Sequence, residues 1–223
     1  MRTLILFVLI TLLFSGCKKN DVRYIEKLNG LWQIEGTHSG DSIPDIFTHT
    51  ITVPGLTDLA QPVFHQQPDY YWYRKTFFLN NAKEKSWIKI HKAMFGTEVY
   101  INRKKVGMHL PNFTPFTVDI SSYVNEGNEN ELIIRVGANP NILPDSVPYG
   151  FDFEKSTYIS GIYDDVELIS CGFPHIRNIQ IVPEISGPSI QVFSYLDTVT
   201  GISQNIEFIV REKKSGKQVT SKK

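Results

Sequence analysis

The chain has 223 residues, 41% hydrophobic and 21% charged, a composition that excludes a disordered or collagen-like polymer. Lysine plus arginine balance aspartate plus glutamate at 23 each, so no basic field is present to attract nucleic acid. The length fits one large domain or two small ones, and 12% aromatic residues suit either sheet packing or stacking on sugar rings.

Residues 1–16 read as a secretion signal. Arg2 supplies the positive start, and Leu4–Phe14 is an apolar run too short to span a bilayer. The run ends in Leu13-Phe14-Ser15-Gly16-Cys17, which resembles the lipobox of bacterial lipoproteins. The expectation is a lipidated Cys17, a tether over residues 17–27, and an exported protein held in the outer membrane through that cysteine. Lys18 and Lys19, in place of an acidic retention residue, favour that membrane. An ordinary signal peptide with a chance cysteine is the alternative. If Cys17 is acylated, Cys171 has no disulfide partner and reads as a small apolar residue at a strand end.

After the signal, helical periodicity is scarce and short alternating runs dominate. Tyr71–Leu79 is a long run of strand formers. Ile88 and Ile90 share one face of Ser86–His91; Val99 and Ile101 share a face of Glu98–Asn102; Leu132, Ile134 and Val136 share a face of Glu131–Val136. Many short strands without helices between them predict an all-β protein, a jelly-roll β-sandwich over residues 28–172. Gly172 and Pro174 mark a boundary. Beyond it, Arg177–Val182, Ser189–Tyr195 and Asn205–Arg211 alternate again, as the start of an immunoglobulin-like sandwich over residues 173–223. Such a domain needs about seven strands, and only three or four fit, so an open edge and an uncovered apolar face are expected.

Several segments in order carry a resemblance. They are Leu28-Asn29-Gly30-Leu31-Trp32, Val53-Pro54-Gly55, Trp72-Tyr73-Arg74-Lys75, Glu98-Val99-Tyr100-Ile101-Asn102, Val106-Gly107, Phe113-Thr114-Pro115-Phe116 with Asp119-Ile120, and Ser160-Gly161-Ile162-Tyr163-Asp164-Asp165-Val166. Their order and spacing resemble the sugar-binding domain at the front of family 2 glycoside hydrolases, the β-galactosidase, β-glucuronidase and β-mannosidase group. Two positions depart from the family pattern: Arg103 stands where a turn glycine is usual, and Asp164 where an arginine is usual. In physical terms Asn102–Lys105 is a hairpin turn, and Gly161 eases a sharp bend into the next strand. Trp32, Trp72 and Trp87 lie on strands and read as core or rim aromatics, with a sugar platform as the alternative.

The resemblance implies a retaining β-glycosidase parent with two catalytic glutamates, about 5–5.5 Å apart, in a barrel that follows the second sandwich. A barrel takes about 250 residues of alternating strand and helix, a pattern absent here, so this chain by itself is expected to be inactive. Asn125-Glu126, Asn128-Glu129 and Asn130-Glu131 mimic the family's Asn-Glu acid/base pair, but they lie in a polar turn around Gly127 with no means of holding a carboxyl protonated. The resemblance also implies that the loop before the Ser-Gly-Ile-Tyr element reaches the substrate. That loop, Asn139–Ile159, carries Asp145, Asp152 and Glu154 among aromatic rings, and these are the candidate sugar-binding acids; capping of turns or pairing with Lys155 is the alternative role. The histidines are scattered, so no metal site is expected, and no cofactor motif is present. The expected partners are a β-linked glycan, the membrane through Cys17, and the parent's missing catalytic barrel, with no nucleic acid. A stand-alone carbohydrate-binding lipoprotein and a truncated, poorly folding product are the competing readings.

Overall fold

The computed structural model describes residues 23–80, 84–155, 157–197, 203 and 205–222. The signal over residues 1–16, Cys17 and the first part of the tether lie outside the described residues. In chain order the strands are β1 (Arg23–Lys27), β2 (Gly30–Thr37), β3 (His49–Val53), β4 (Gly55–Leu56), β5 (Tyr70–Phe78), β6 (Lys85–Ile90), β7 (Ala93–Met94), β8 (Thr97–Ile101) and β9 (Lys104–His109). They continue as β10 (Phe116–Asp119), β11 (Glu129–Gly137), β12 (Gly161–Ile162), β13 (Val166–Cys171), β14 (His175–Pro183), β15 (Ile190–Asp197), β16 (Phe208–Arg211) and β17 (Gln218–Lys222). Among the described residues helix is limited to two single turns, Thr57–Leu59 and Pro140–Ile142.

Residues 23–171 form a β-sandwich. A six-stranded sheet in the order β3-β2-β5-β11-β8-β9 packs on a four-stranded sheet in the order β1-β13-β6-β10, and a small sheet β4-β12-β7 completes it. The alternation read from the sequence fixes which side chains meet. Ile88 and Ile90 of β6 and Leu132, Ile134 and Val136 of β11 all enter the same core cluster. β11 lies between β5 and β8, and part of its opposite face, at Ile133 and Gly137, is buried as well. There Ile133 packs with Trp72 and Phe47 in a separate cluster. Trp72 is therefore buried outside the sandwich core, whereas Trp32 lies within it. Trp87 points away from the core and is half-buried.

The β8–β9 hairpin turns through Asn102 and Arg103, with φ of 49° and 64°. Two consecutive left-handed residues make the tight turn whose twist matches the strands. Arg103 accepts this backbone without glycine's freedom, and its guanidinium is held by Asp45 at 3.0 Å. Asn102 braces the turn from below, donating to Asn130 Oδ1 and the Tyr123 carbonyl, both at 2.9 Å. Asn130 is buried, and its amide spans the 125–128 turn through Asn125 and Asn128. The Asn-Glu dipeptides there are thus parts of a turn clamp.

Gly161 serves a different purpose from the bend expected of it. A methyl group on its Cα would lie 2.5 Å from the Gly55 carbonyl oxygen, so glycine is needed to let β12 approach β4.

After Cys171 no described residue is buried. β14 and β15 form one antiparallel hairpin and β16 and β17 another, and the two do not pair. Ile179, Ile181, Phe193 and Tyr195 are all exposed. By the antiparallel register Ile179 and Ile181 lie on one face of the β14–β15 hairpin and Phe193 and Tyr195 on the other, so both faces carry exposed apolar side chains.

Candidate functional site

The loop after β11 is packed by its own rings. Phe151 stacks on Tyr158 with centroids 5.4 Å apart, meets Tyr149 edge-on at 4.9 Å and contacts Phe95 at 6.3 Å. Phe113 touches Tyr158 and Tyr163 from the other side. The Asn112 amide donates to the Pro148 carbonyl at 3.2 Å and so ties the two loops together. Ser160 closes the loop onto the sandwich: its buried hydroxyl donates to the Gly137 carbonyl at 2.6 Å and reaches the Met94 carbonyl at 2.9 Å. The Ser160 carbonyl in turn accepts the Thr57 N–H at 2.9 Å.

That last bond brings the Thr57–Leu59 turn against the end of the loop, and a cleft of about 500 Å³ opens beside it. One wall comes from Thr57, Asp58, Phe64, Gln66 and Gln67. The other comes from Asn139, Pro140, Phe151 and Thr157–Ser160. Gln67 Nε2 donates to the Ala138 carbonyl at 3.2 Å and fixes the two walls to each other. Burial, above all, pushes the Tyr71 and Tyr163 hydroxyls above the ordinary phenol range, and the Asp58 charge adds to both rises. Both phenols therefore stay neutral at physiological pH.

The three acids singled out from the sequence do not line this cleft. Asp145 and Glu154 are exposed, and their carboxylates make no bond among the described residues. Asp152 accepts the backbone N–H groups of Glu154 at 2.9 Å and Lys155 at 2.7 Å, the geometry of a turn cap. The loop itself does supply a wall, but through Asn139, Phe151, Thr157 and Tyr158. Asp58 was missed. Its one signal in the sequence is its place three residues after the matched Val53-Pro54-Gly55 segment.

Asp58 is the single carboxylate lining the cleft among the described residues. Amide side chains and hydroxyls beside ring faces suit a neutral polyhydroxylated ligand. A retaining glycosidase centre needs two carboxylates facing each other at about 5–5.5 Å, and this cleft cannot supply them. Nor does any group of three His, Cys, Asp or Glu gather at metal-binding distance among the described residues.

Residues 25–171 match the family model described as glycosyl hydrolases family 2, sugar binding domain. The chain belongs to this family. Among curated relatives of the family 2 sugar-binding domain, it is 28% identical over 157 residues to a β-galactosidase of Thermoanaerobacter pseudethanolicus, covering 68% of this chain and 21% of the relative. It is 27% identical over 143 residues to a putative β-glucuronidase of Formosa agariphila, covering 62% of this chain and 16% of the relative. The chain therefore spans about a fifth or less of the length of these relatives. In fold it is similar to the β-D-glucuronidase of Dictyoglomus thermophilum, with a TM-score of 0.70 at 23% identity over 92% of this chain and 37% of that one. The Faecalibacterium prausnitzii β-glucuronidase is similar at a TM-score of 0.71 and 18% identity, over 92% of this chain and 40% of that one.

Proposed function

We propose that this chain is the N-terminal, non-catalytic part of an exported, lipid-anchored family 2 glycoside hydrolase that degrades β-linked glycans of the β-galactoside class. The observation that carries the reading is the family match over residues 25–171. Two physical features support it. The cleft offers sugar-binding groups with a single carboxylate, so the hydrolytic pair belongs elsewhere in the parent protein. Exposed apolar side chains on both faces of the β14–β15 hairpin call for further elements to cover them. In this reading the sugar-binding domain shapes one side of the substrate site, and a barrel supplies the chemistry.

Purified chain is expected to leave chromogenic β-galactosides and β-glucuronides uncleaved while binding β-linked oligosaccharides weakly. Asp58→Ala is expected to weaken that binding about tenfold, the order of one charge-assisted hydrogen bond. Enzyme-like turnover by this chain would overturn the non-catalytic assignment. Unchanged binding in the Asp58 variant would remove the cleft from it. The anchor rests on the residues around Cys17. Metabolic labelling with palmitate is expected to mark the intact chain and to fail in a Cys17→Ser variant, and label retained by that variant would refute acylation at Cys17.

A further inference from the structure

A second place for a ligand lies on the outer face of the four-stranded sheet. Because β6 alternates, Ile88 and Ile90 enter the core while Trp87 and Lys89 point away from it. The antiparallel register sets Asp119 and Thr117 of β10 beside them on one side. Ile169 of β13 lies opposite Trp87 on the other side, and Arg23 of β1 is opposite Cys171. The start of β14 roofs this face. The His175 ring meets Trp87 edge-on with centroids 4.7 Å apart, and Ile169 and Cys171 are buried although they face outward. Between sheet and roof remains a cavity of about 400 Å³, to which Trp87, Arg23, Lys89 and Arg177 contribute. It shares no residue with the cleft lined by Asp58.

The charges in this cavity are unevenly matched. Asp119 is paired with Lys85 at 2.5 Å. Asp197 is paired with His175 at 2.9 Å and with Arg177 at 4.0 Å. Glu167, next to Lys89 in register, turns its carboxylate to within 3.0 Å of His91 and does not line the cavity. Both cavity carboxylates thus have cationic partners. Arg23 and Lys89 have no carboxylate partner among the described residues, and they line the cavity together with the half-buried Trp87 indole. Two unmatched cations on one cavity, Arg23 exposed and Lys89 half-buried, favour an anion. The indole face favours the C–H face of a sugar ring.

We propose that this cavity binds an acidic saccharide, a sugar ring bearing a carboxylate or a sulfate, with Trp87 against the ring and Arg23 and Lys89 on the anion. The site stands on the sheet's own register and is independent of catalysis by the parent protein. It would hold the protein on an acidic glycan at a distance from the Asp58 cleft.

Trp87 supplies the readout. Trp32 and Trp72 are fully buried, so a change in tryptophan emission on ligand addition reports on Trp87. The purified chain is titrated with tetragalacturonate, a sulfated tetrasaccharide, neutral cellotetraose and sodium sulfate. Saturable quenching is expected with at least one acidic oligosaccharide, and it should weaken as salt is raised. Arg23→Gln with Lys89→Gln is expected to weaken binding about tenfold or more, while the variant's unfolding midpoint shows that it remains folded. Asp58→Ala should leave this titration unchanged, which separates it from the cleft. Equal binding of cellotetraose would overturn the proposal, because the cations would then play no part. Sodium sulfate binding as tightly as the saccharides would overturn it too, leaving only an anion patch. No saturable quenching by either acidic saccharide, or full retention of quenching in the double variant, refutes the site outright.

Discussion

Trp32→Ala is expected to remove most of the stability of the sandwich. The Trp32 side chain is 1% exposed in the core cluster. Its indole N–H donates to the Leu28 carbonyl at 2.7 Å, holding the link from β1 into β2. Replacing a buried tryptophan by alanine costs about 3–5 kcal/mol, through lost transfer energy and the cavity left behind. Small domains are stable by only about 5–15 kcal/mol, so the variant should stand near the edge of folding. Trp32→Phe should cost less, about 1–3 kcal/mol, because it keeps much of the packing and loses the bond to Leu28. Urea unfolding followed by circular dichroism measures both. An alanine variant with an unshifted midpoint would show that Trp32 does not anchor the core.

The second large effect is expected at Glu98, on the outer face of the six-stranded sheet. It is 8% exposed and accepts hydrogen bonds from Lys105 Nζ at 2.6 Å and the Tyr100 hydroxyl at 2.6 Å. Arg135 closes the group at 2.7 Å, and its guanidinium lies over Tyr70 at 4.5 Å. Burial alone would raise the Glu98 carboxyl. The bonds from Lys105 and Tyr100 and the charges of Arg135 and Lys105 outweigh it and hold the carboxyl below the usual range. A native value below the unfolded one of about 4.3 means that Glu98 stabilises the fold above that pH. This contribution disappears as the pH falls through the native value.

Glu98→Gln leaves Arg135 without its carboxylate. Breaking a fully buried pair costs about 3–5 kcal/mol, and the half-exposed Lys105 reduces the expected cost here to about 2–3 kcal/mol. The gap between the parent chain and the variant should be widest near neutral pH and narrow once the pH falls below the unfolded value and on through the lowered native one, where Glu98 loses its charge. Asp119, also held low, is present in both chains and cancels from the difference. A gap of constant size from neutral to acid pH would show that the Glu98 charge contributes nothing.

The amino-acid order alone determines the family and the strands. Period-two alternation is a local property, so Ile88 with Ile90, and Leu132 with Ile134 and Val136, could be assigned to one face before any partner strand was known. Asn102 and Arg103 mark their turn for the same reason: a two-residue hairpin is decided by its own backbone. What a face meets is a different matter. Trp32, Trp72 and Trp87 all read as strand aromatics, yet one fills the core, one lies under the segment that carries Phe47, and one faces outward beneath His175.

Tertiary structure alone decides the sites. The Asn139–Ile159 loop was legible from its prolines and rings, and its acids drew attention because carboxylates bond sugar hydroxyls. The fold turns Asp152 into a cap and leaves Asp145 and Glu154 in solvent. The cleft forms instead where the Thr57 N–H meets the Ser160 carbonyl, between segments about a hundred residues apart. The second cavity likewise needs Arg23, Lys89 and Arg177 on three different strands. Strand periodicity is written in neighbouring residues. A binding site is written in pairings between distant ones, and only closure of the sheets reveals which of these share a space.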